Sequence, residues 1–357
     1  MIRKLSVYGL LFLTILSCKN ETFNTDSNSK LVSNDTKFIK LLESYNEEAY
    51  ALDPMVATNA GDSRYNSEFP EFLSVDYKAK KKAYYNSYKS RLSEINNETL
   101  NATEKMSLAV LNWDIDINLE AMGFKKDLMP IDQMWSKNLD FNQLASASNA
   151  QPFKTVQDYK DWMTRVDNYL VWLNSTIANM KSGITEGYVL PKPLIKKVIP
   201  QFETLASGAV EDHLYYEPIK MLPDSFSAED KEAITDDYRA MISDKLKMMV
   251  DFLKNEYLPN GRSTSGIDAT PLGADYYSHQ IKYYTTTTMT ADEIHQLGLS
   301  EVTRIRSEME DVKKEVGFEG NLNEFFEHVR TKKLLMPFTE RSQVIAFYDS
   351  IHNVMKP

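Results

Sequence analysis

A chain of 357 residues that is 42% hydrophobic, with 20 Tyr, 16 Phe and 4 Trp, has the material for a sizeable core, which excludes an intrinsically disordered protein. Its formal net charge of −10 at pH 7 repels polynucleotides and excludes nucleic acid as a partner. A single cysteine excludes a disulfide framework.

Arg3 and Lys4 precede an apolar run from Leu5 to Leu16, the layout of a secretory leader. The run falls short of the roughly 20 apolar residues that span a bilayer. Ile15-Leu16-Ser17-Cys18 resembles the bacterial lipobox, in which a small residue precedes a cysteine that is acylated through sulfur. Residues 1–17 are therefore predicted to be a lipoprotein signal peptide, with Cys18 as the lipidation site and membrane lipid as the partner it recruits. The sole thiol is then committed to the anchor, leaving no cysteine nucleophile or thiolate metal ligand. Residues 19–36 are rich in Ser, Asn, Asp and Thr and read as a flexible tether, so the folded region is predicted over 37–357. Lys19, rather than Asp, after the acylated cysteine fits outer-membrane sorting as enteric bacteria perform it. The predicted address is the bacterial cell envelope.

Helical periodicity dominates the chain beyond the tether. Asp35 and Thr36 cap a first predicted helix whose Phe38, Leu41, Leu42, Tyr45 and Leu52 share a face, ended by Asp53-Pro54. Tyr77, Tyr84, Tyr88, Leu92 and Ile95 mark a second. A third, from about Thr103, carries two stripes, one of Met106, Val110, Trp113 and Ile117 and another of Leu108, Leu111, Ile115 and Leu119, which predicts that both faces are covered. Gly123 to Phe153 lacks period and is predicted to be a loop. Thr155 and Asp158 form a capping-box pattern opening a long helix through Trp162, Val166, Leu170, Leu173 and Met180, with Gly183 expected past its end. Ser227 and Asp230 repeat the pattern ahead of a helix through Tyr257, stopped at Asn260-Gly261. Thr290 and Glu293 do so again ahead of Ile294, Leu297, Ile305, Met309 and Val312, with Gly317 beyond, and a last amphipathic segment starts near Glu340. Period-two strands are nearly absent, so the predicted class is mainly α, a large multi-helix domain.

The chemistry-bearing residues assemble no complete active site. The five histidines, His213, His279, His295, His328 and His352, include no i, i+4 pair, so the HExxH zinc pattern is absent. His213 with Glu217, and Glu324 with His328, do have that spacing and read as ordinary surface pairs. Acidic neighbours such as Asp114 and Asp116 read as a solvated face, and Thr285 to Thr288 as a linker. There is no G-x-S-x-G elbow, phosphate-binding loop or dinucleotide fingerprint. The cluster from Gly273 to His279, with Tyr283 and Tyr284 beyond it, leaves two readings open. Tyr276, Tyr277 and His279 are able to hydrogen-bond a peptide carbonyl as substrate-binding groups. Equally, the tyrosines suit the packing face of a helix.

Three segments resemble the bacterial domain of unknown function 885 family: Asp53-Pro54 through Ala57-Thr58 to Gly61-Asp62; Met180 to Gln201, with Gly183, Gly187 and Pro191; and Gly273 to Met309, with its G-x-x-Y-Y and Thr290-Ala-Asp-Glu-Ile-His-Gln-Leu-Gly-Leu-Ser-Glu-Val. The resemblance implies a helical, zincin-like metallopeptidase fold, found in many lipoproteins, in which an H-E-x-x-P-G-H helix holds zinc and its Glu acts as general base on a zinc-bound water. In the longer members that helix lies in the C-terminal part, and no position of this sequence matches it. No residue here inherits a metal or catalytic role. Zinc is expected only with that additional part, and the domain over 37–357 is expected to be incomplete at its C-terminus. The implied function is the N-terminal scaffold and substrate-cleft portion of a lipid-anchored zinc-metallopeptidase-like protein acting on peptides. The alternative is a non-catalytic envelope lipoprotein that binds a peptide or nutrient.

Overall fold

Apolar stripes at helical spacing need facing partners. The computed structural model, which describes residues 36–145, 150–241, 245–335 and 337–356, supplies them almost entirely with helices. In chain order these are α1 (Thr36–Leu52), α2 (Pro54–Asn59), α3 (Val75–Ser93), α4 (Ala102–Ala121), α5 (Lys137–Leu144), α6 (Val156–Glu186), α7 (Lys192–Ala206), α8 (Glu217–Lys220), α9 (Ala228–Met241), α10 (Lys245–Phe252), α11 (Leu258–Asn260), α12 (Gly273–Thr285), α13 (Ala291–Glu315), α14 (Leu322–Thr331) and α15 (Arg341–Met355). Among the described residues there is no sheet, only an isolated bridge between Pro191 and Arg262. The mainly α class therefore holds. Cys18 and the predicted leader and tether lie outside the described residues. The chain forms two compact units, one ending at Pro271 and the other starting at Leu272.

The first unit has two apolar cores. In the smaller one, Phe38 and Leu41 of α1 meet Tyr84, Tyr88 and Leu92 of α3 and Leu111 and Ile115 of α4. The tyrosines serve at both ends: the rings of Tyr45 and Tyr84 stack at 5.1 Å, while the Tyr84 hydroxyl donates to the Tyr45 carbonyl at 2.7 Å and the Tyr45 hydroxyl to Asp114 at 2.5 Å. Only part of the Met106 stripe of α4 is covered: Ile117 is buried, but Met106 and Val110, nearer the start of the helix, are exposed among the described residues.

The larger core is built on α6. Its capping box forms as predicted, with Thr155 accepting from the Asp158 amide and Asp158 from the Thr155 amide. Trp162, Val166, Tyr169, Leu170 and Leu173 recur at i, i+3 and i+4 and are buried against α5, α7, α9 and α10. The helix runs three residues beyond Gly183, since Ile184 still packs on this core, and ends at Gly187 in the left-handed region (φ 82°). Gly183 is a contact residue inside the helix: a Cβ there would lie 2.6 Å from the carbonyl oxygens of both Leu128 and Tyr188.

Three further helices depart from the sequence expectation. In the predicted loop, α5 is held by Phe141, whose ring stacks between Tyr169 (4.1 Å) and Trp162 (5.0 Å) of α6. One inserted aromatic leaves almost no periodic signal in eight residues. In α7, which the periodicity reading did not assign, Pro191 and Pro193 occupy the entry, where proline is tolerated, and Pro200 lies on the exposed side, where water can satisfy the carbonyl it frees. In the second unit, α14 opens with an Asn321–Glu324 capping box. The helix expected from Ser227 to Tyr257 is described as α9 and α10 on either side of residues 242–244, which lie outside the described residues, and it passes into a π-helical turn at Leu253–Tyr257 that brings the Tyr257 hydroxyl to the Leu190 amide, 3.1 Å away.

Within the second unit, Thr290 and Glu293 cap α13 reciprocally, and Gly317 (φ 71°) follows its end. Lys313 closes the turn to α14 by donating to the Gly320 carbonyl at 2.6 Å while pairing with Glu310. Val302, Ile305, Met309 and Val312 of α13, and Val344, Phe347, Ile351 and Val354 of α15, are exposed.

Replacing Phe141 by Ala removes the ring that joins α5 to α6. It is expected to lower the unfolding free energy by about 3–5 kcal/mol, read from urea denaturation followed by circular dichroism.

Candidate functional site

Helix α12 carries the three predicted substrate-binding residues. With about 100° between successive side chains, Tyr276 and His279 fall on one face, their rings nearly parallel at 6.4 Å. His279 is buried and Tyr276 half-buried, while Tyr277 turns away and is exposed. The helix therefore brings Tyr276 and His279 together and does not bring Tyr277 to them. Tyr283 and Tyr284, at the far end of α12, meet edge to face at 5.1 Å and are both exposed. The threonine run beyond is an irregular linker in which Thr286 adopts a left-handed conformation (φ 54°).

Of the two candidate metal pairs, Glu324 and His328 are both exposed, as the surface reading expects, while the pair with His213 departs from it. His213 is buried, not a surface residue. The Tyr215 amide donates to its Nδ1 at 3.2 Å, so the proton sits on Nε2, which donates to the Leu205 carbonyl. Both ring nitrogens are engaged and neither is available to a metal. Glu217, its i+4 partner, instead accepts from Lys220 at 2.7 Å. His213 falls inward because Leu205 and Tyr215, which flank it, belong to the larger core. Glu324 accepts from the Asn321 amide at 2.8 Å as the cap of α14, and the His328 ring lies 5.0 Å from Phe318. Among the described residues, no group of three or more His, Cys, Asp or Glu is arranged to hold a metal ion. The side chains present do not fit a zinc centre.

The first family-like segment, Asp53 to Asp62, forms a folding hub. Pro54 starts α2, and Asp53 pairs with Lys137 at 2.6 Å. Gly61 takes a positive φ of 86°, and Asp62 caps the next turn while pairing with Arg64. Thr58 accepts from the fully buried Arg165 of α6 at 2.9 Å. Arg165 also donates to Gln151 at 2.7 Å and to the Tyr65 carbonyl. All three acceptors are neutral, and burial pushes the guanidinium down to about 10, still cationic near neutrality. Arg165 and Gln151 escape motif reading. The available signal was a charged residue inside the stripe of Trp162, Val166 and Tyr169, a position where burial demands hydrogen-bond partners for the guanidinium. The second family-like segment is structural too: Gly183 and Gly187 shape the end of α6, Pro191 bridges to Arg262, and Gln201 donates to the Gln133 carbonyl at 3.0 Å.

The family described as bacterial protein of unknown function (DUF885) matches residues 54–357, and the chain belongs to it. No curated protein matches the chain. The fold is similar to that in the crystal structure of the putative lipoprotein from Colwellia psychrerythraea, with a TM-score of 0.69 at 21% identity over 85% of this chain. The chain spans 55% of the length of that relative.

Two outcomes test the assignments. Arg165→Met leaves Thr58, Gln151 and the Tyr65 carbonyl without their donor and is expected to cost about 3 kcal/mol in urea unfolding. His213, held below its ordinary value of 6.5 by burial, stays neutral when folded, so its contribution is fully present above about 6.5. As pH falls from there toward the lower folded value, the unfolded chain gains a proton that the folded chain does not, and stability drops. Thermal melts from pH 7.5 downwards are expected to show a shallower decline in His213→Gln, whose amide can make the same two hydrogen bonds.

Proposed function

We propose that this member of the DUF885 family is the scaffold and substrate-cleft portion of a lipid-anchored, extracytoplasmic, zincin-like protein that hydrolyses peptide bonds. In this reading the zinc helix comes from a segment outside the present sequence. The observation that carries it is the pair of exposed apolar faces on α13 and α15. Apolar surface of that extent is a liability in water unless another layer packs on it, and a helix bearing a zinc motif on one side and an apolar stripe on the other would cover it. The length of the Colwellia relative supports the reading, since this chain aligns with only 55% of it. Anchoring rests on the lipobox pattern at Cys18 and on the description of that relative as a putative lipoprotein. Among the described residues, no helix is long and apolar enough to cross a membrane.

The test is to read the coding sequence downstream of the Pro357 codon and to produce the chain over 37–357 beside one extended through that frame. The extended chain is expected to contain H-E-x-x-P-G-H, to bind one zinc per molecule by elemental analysis and to cleave peptides. Stoichiometric zinc in the 37–357 chain alone, or no such motif in frame, overturns the proposal.

A further inference from the structure

Along α3 the lysines alternate with the tyrosines that build the smaller core, and most of them do what surface lysines do. Lys80 and Lys82 are exposed. Lys78 pairs with Asp127 at 2.6 Å across the mouth of a cavity of about 720 Å³ that lies between α3, the end of α4 and the turn at residues 122–128. On the same rim, Lys125 pairs with Glu186. Lys81 differs. It lines the cavity from within and is half-buried, and among the described residues its ammonium has no ion-pair partner. Its ammonium lies 5.9 Å from the Tyr85 ring, and Asp53 and Asp114 act on it at longer range. The nearby carboxylates are occupied, Asp53 by Lys137 and Asp114 by the Tyr45 hydroxyl.

The cavity thus has a lysine with no ion pair among the described residues and walls of Phe72, Tyr77, Met122 and Leu128. Four lysines line it against two carboxylates, in a chain whose formal charge is −10. Burial lowers the Lys81 pKa, the direction expected of an ammonium stripped of water. A carboxylate placed against Nζ would replace that lost hydration with a charge-assisted hydrogen bond. The volume suits a small organic molecule, for which pockets run from roughly 300 to 1,000 Å³.

From this arrangement we propose that the cavity between α3, α4 and the 122–128 turn binds a small amphiphilic monocarboxylate, with its head on Lys81 and its tail on Phe72, Tyr77, Met122 and Leu128. A single charge fits best, because Lys78 and Lys125 are already neutralised and Lys82 faces solvent. The site lies wholly in the first unit and does not depend on the peptidase reading.

Phenylbutyrate is the probe and phenylbutanamide its neutral isostere, with affinities read by ligand-observed NMR on the 37–357 chain. The acid is expected to bind at least about tenfold more tightly than the amide. Lys81→Met, which keeps the stem and removes the charge, is expected to lose about tenfold, while Lys81→Arg stays within about threefold. Ala79→Trp, at an exposed position on the cavity wall, leaves the charge untouched and is expected to block binding by occupancy. Circular dichroism confirms that each variant is folded. No binding of the acid by the unsubstituted chain at millimolar concentration overturns the proposal. So does equal binding of acid and amide, undiminished binding by Lys81→Met, or undiminished binding by Ala79→Trp, which would place the ligand on some other apolar surface. Each of these results leaves the zinc experiment unaffected.

Discussion

The ring of Phe141, held between Trp162 and Tyr169 on α6, is the contact on which the first unit depends. Two aromatic residues seven apart on a helix stand one above the other, two turns apart, leaving a slot that a third ring fills. Filling it fixes α5, and α5 carries Lys137, which pairs with Asp53 at the junction of α1 and α2. One turn away on α6, Arg165 binds the α2 segment directly through Thr58. Apolar stacking and a buried guanidinium thus tie the same N-terminal segment to the same long helix by two independent routes.

This arrangement explains why the family-like segments are built as they are. Asp53-Pro54, Thr58, Gly61 and Asp62 start a short helix, accept the buried arginine, reverse the chain and cap the next turn. Gly183 permits two carbonyls to approach α6 closely, and Gly187 ends the helix. In this chain these positions set backbone geometry and hold the long helix in place. The buried polar side chains follow the same logic, since both ring nitrogens of His213 and both terminal nitrogens of Arg165 bond to protein partners.

The second unit has the opposite balance. Its helices are well capped by Thr290, Asn321 and Lys313, yet α13 and α15 leave long apolar faces exposed. Local signals suffice to form these helices, while the partner that would bury their faces is a tertiary matter. In the first unit, by contrast, Lys81 lines a cavity and forms no ion pair among the described residues.

Helix positions were legible wherever an apolar stripe coincided with a cap: the openings of α6 and α13 follow directly from Thr155-Asp158 and Thr290-Glu293. Those signals act within a few residues and survive in a linear reading. The mainly α class, the family and the acylation pattern at Cys18 were likewise available from order and spacing. Tertiary structure alone decided the rest. It turned Phe141 into an anchor and buried His213, and it left Met106 and Val110 without cover. It also separated Tyr277 from Tyr276 and His279, and left Lys81 facing a cavity. In each case the outcome depends on which distant surface arrives opposite a side chain, and burial, charge pairing and cavity shape are properties of such pairs of surfaces, not of a stretch of sequence.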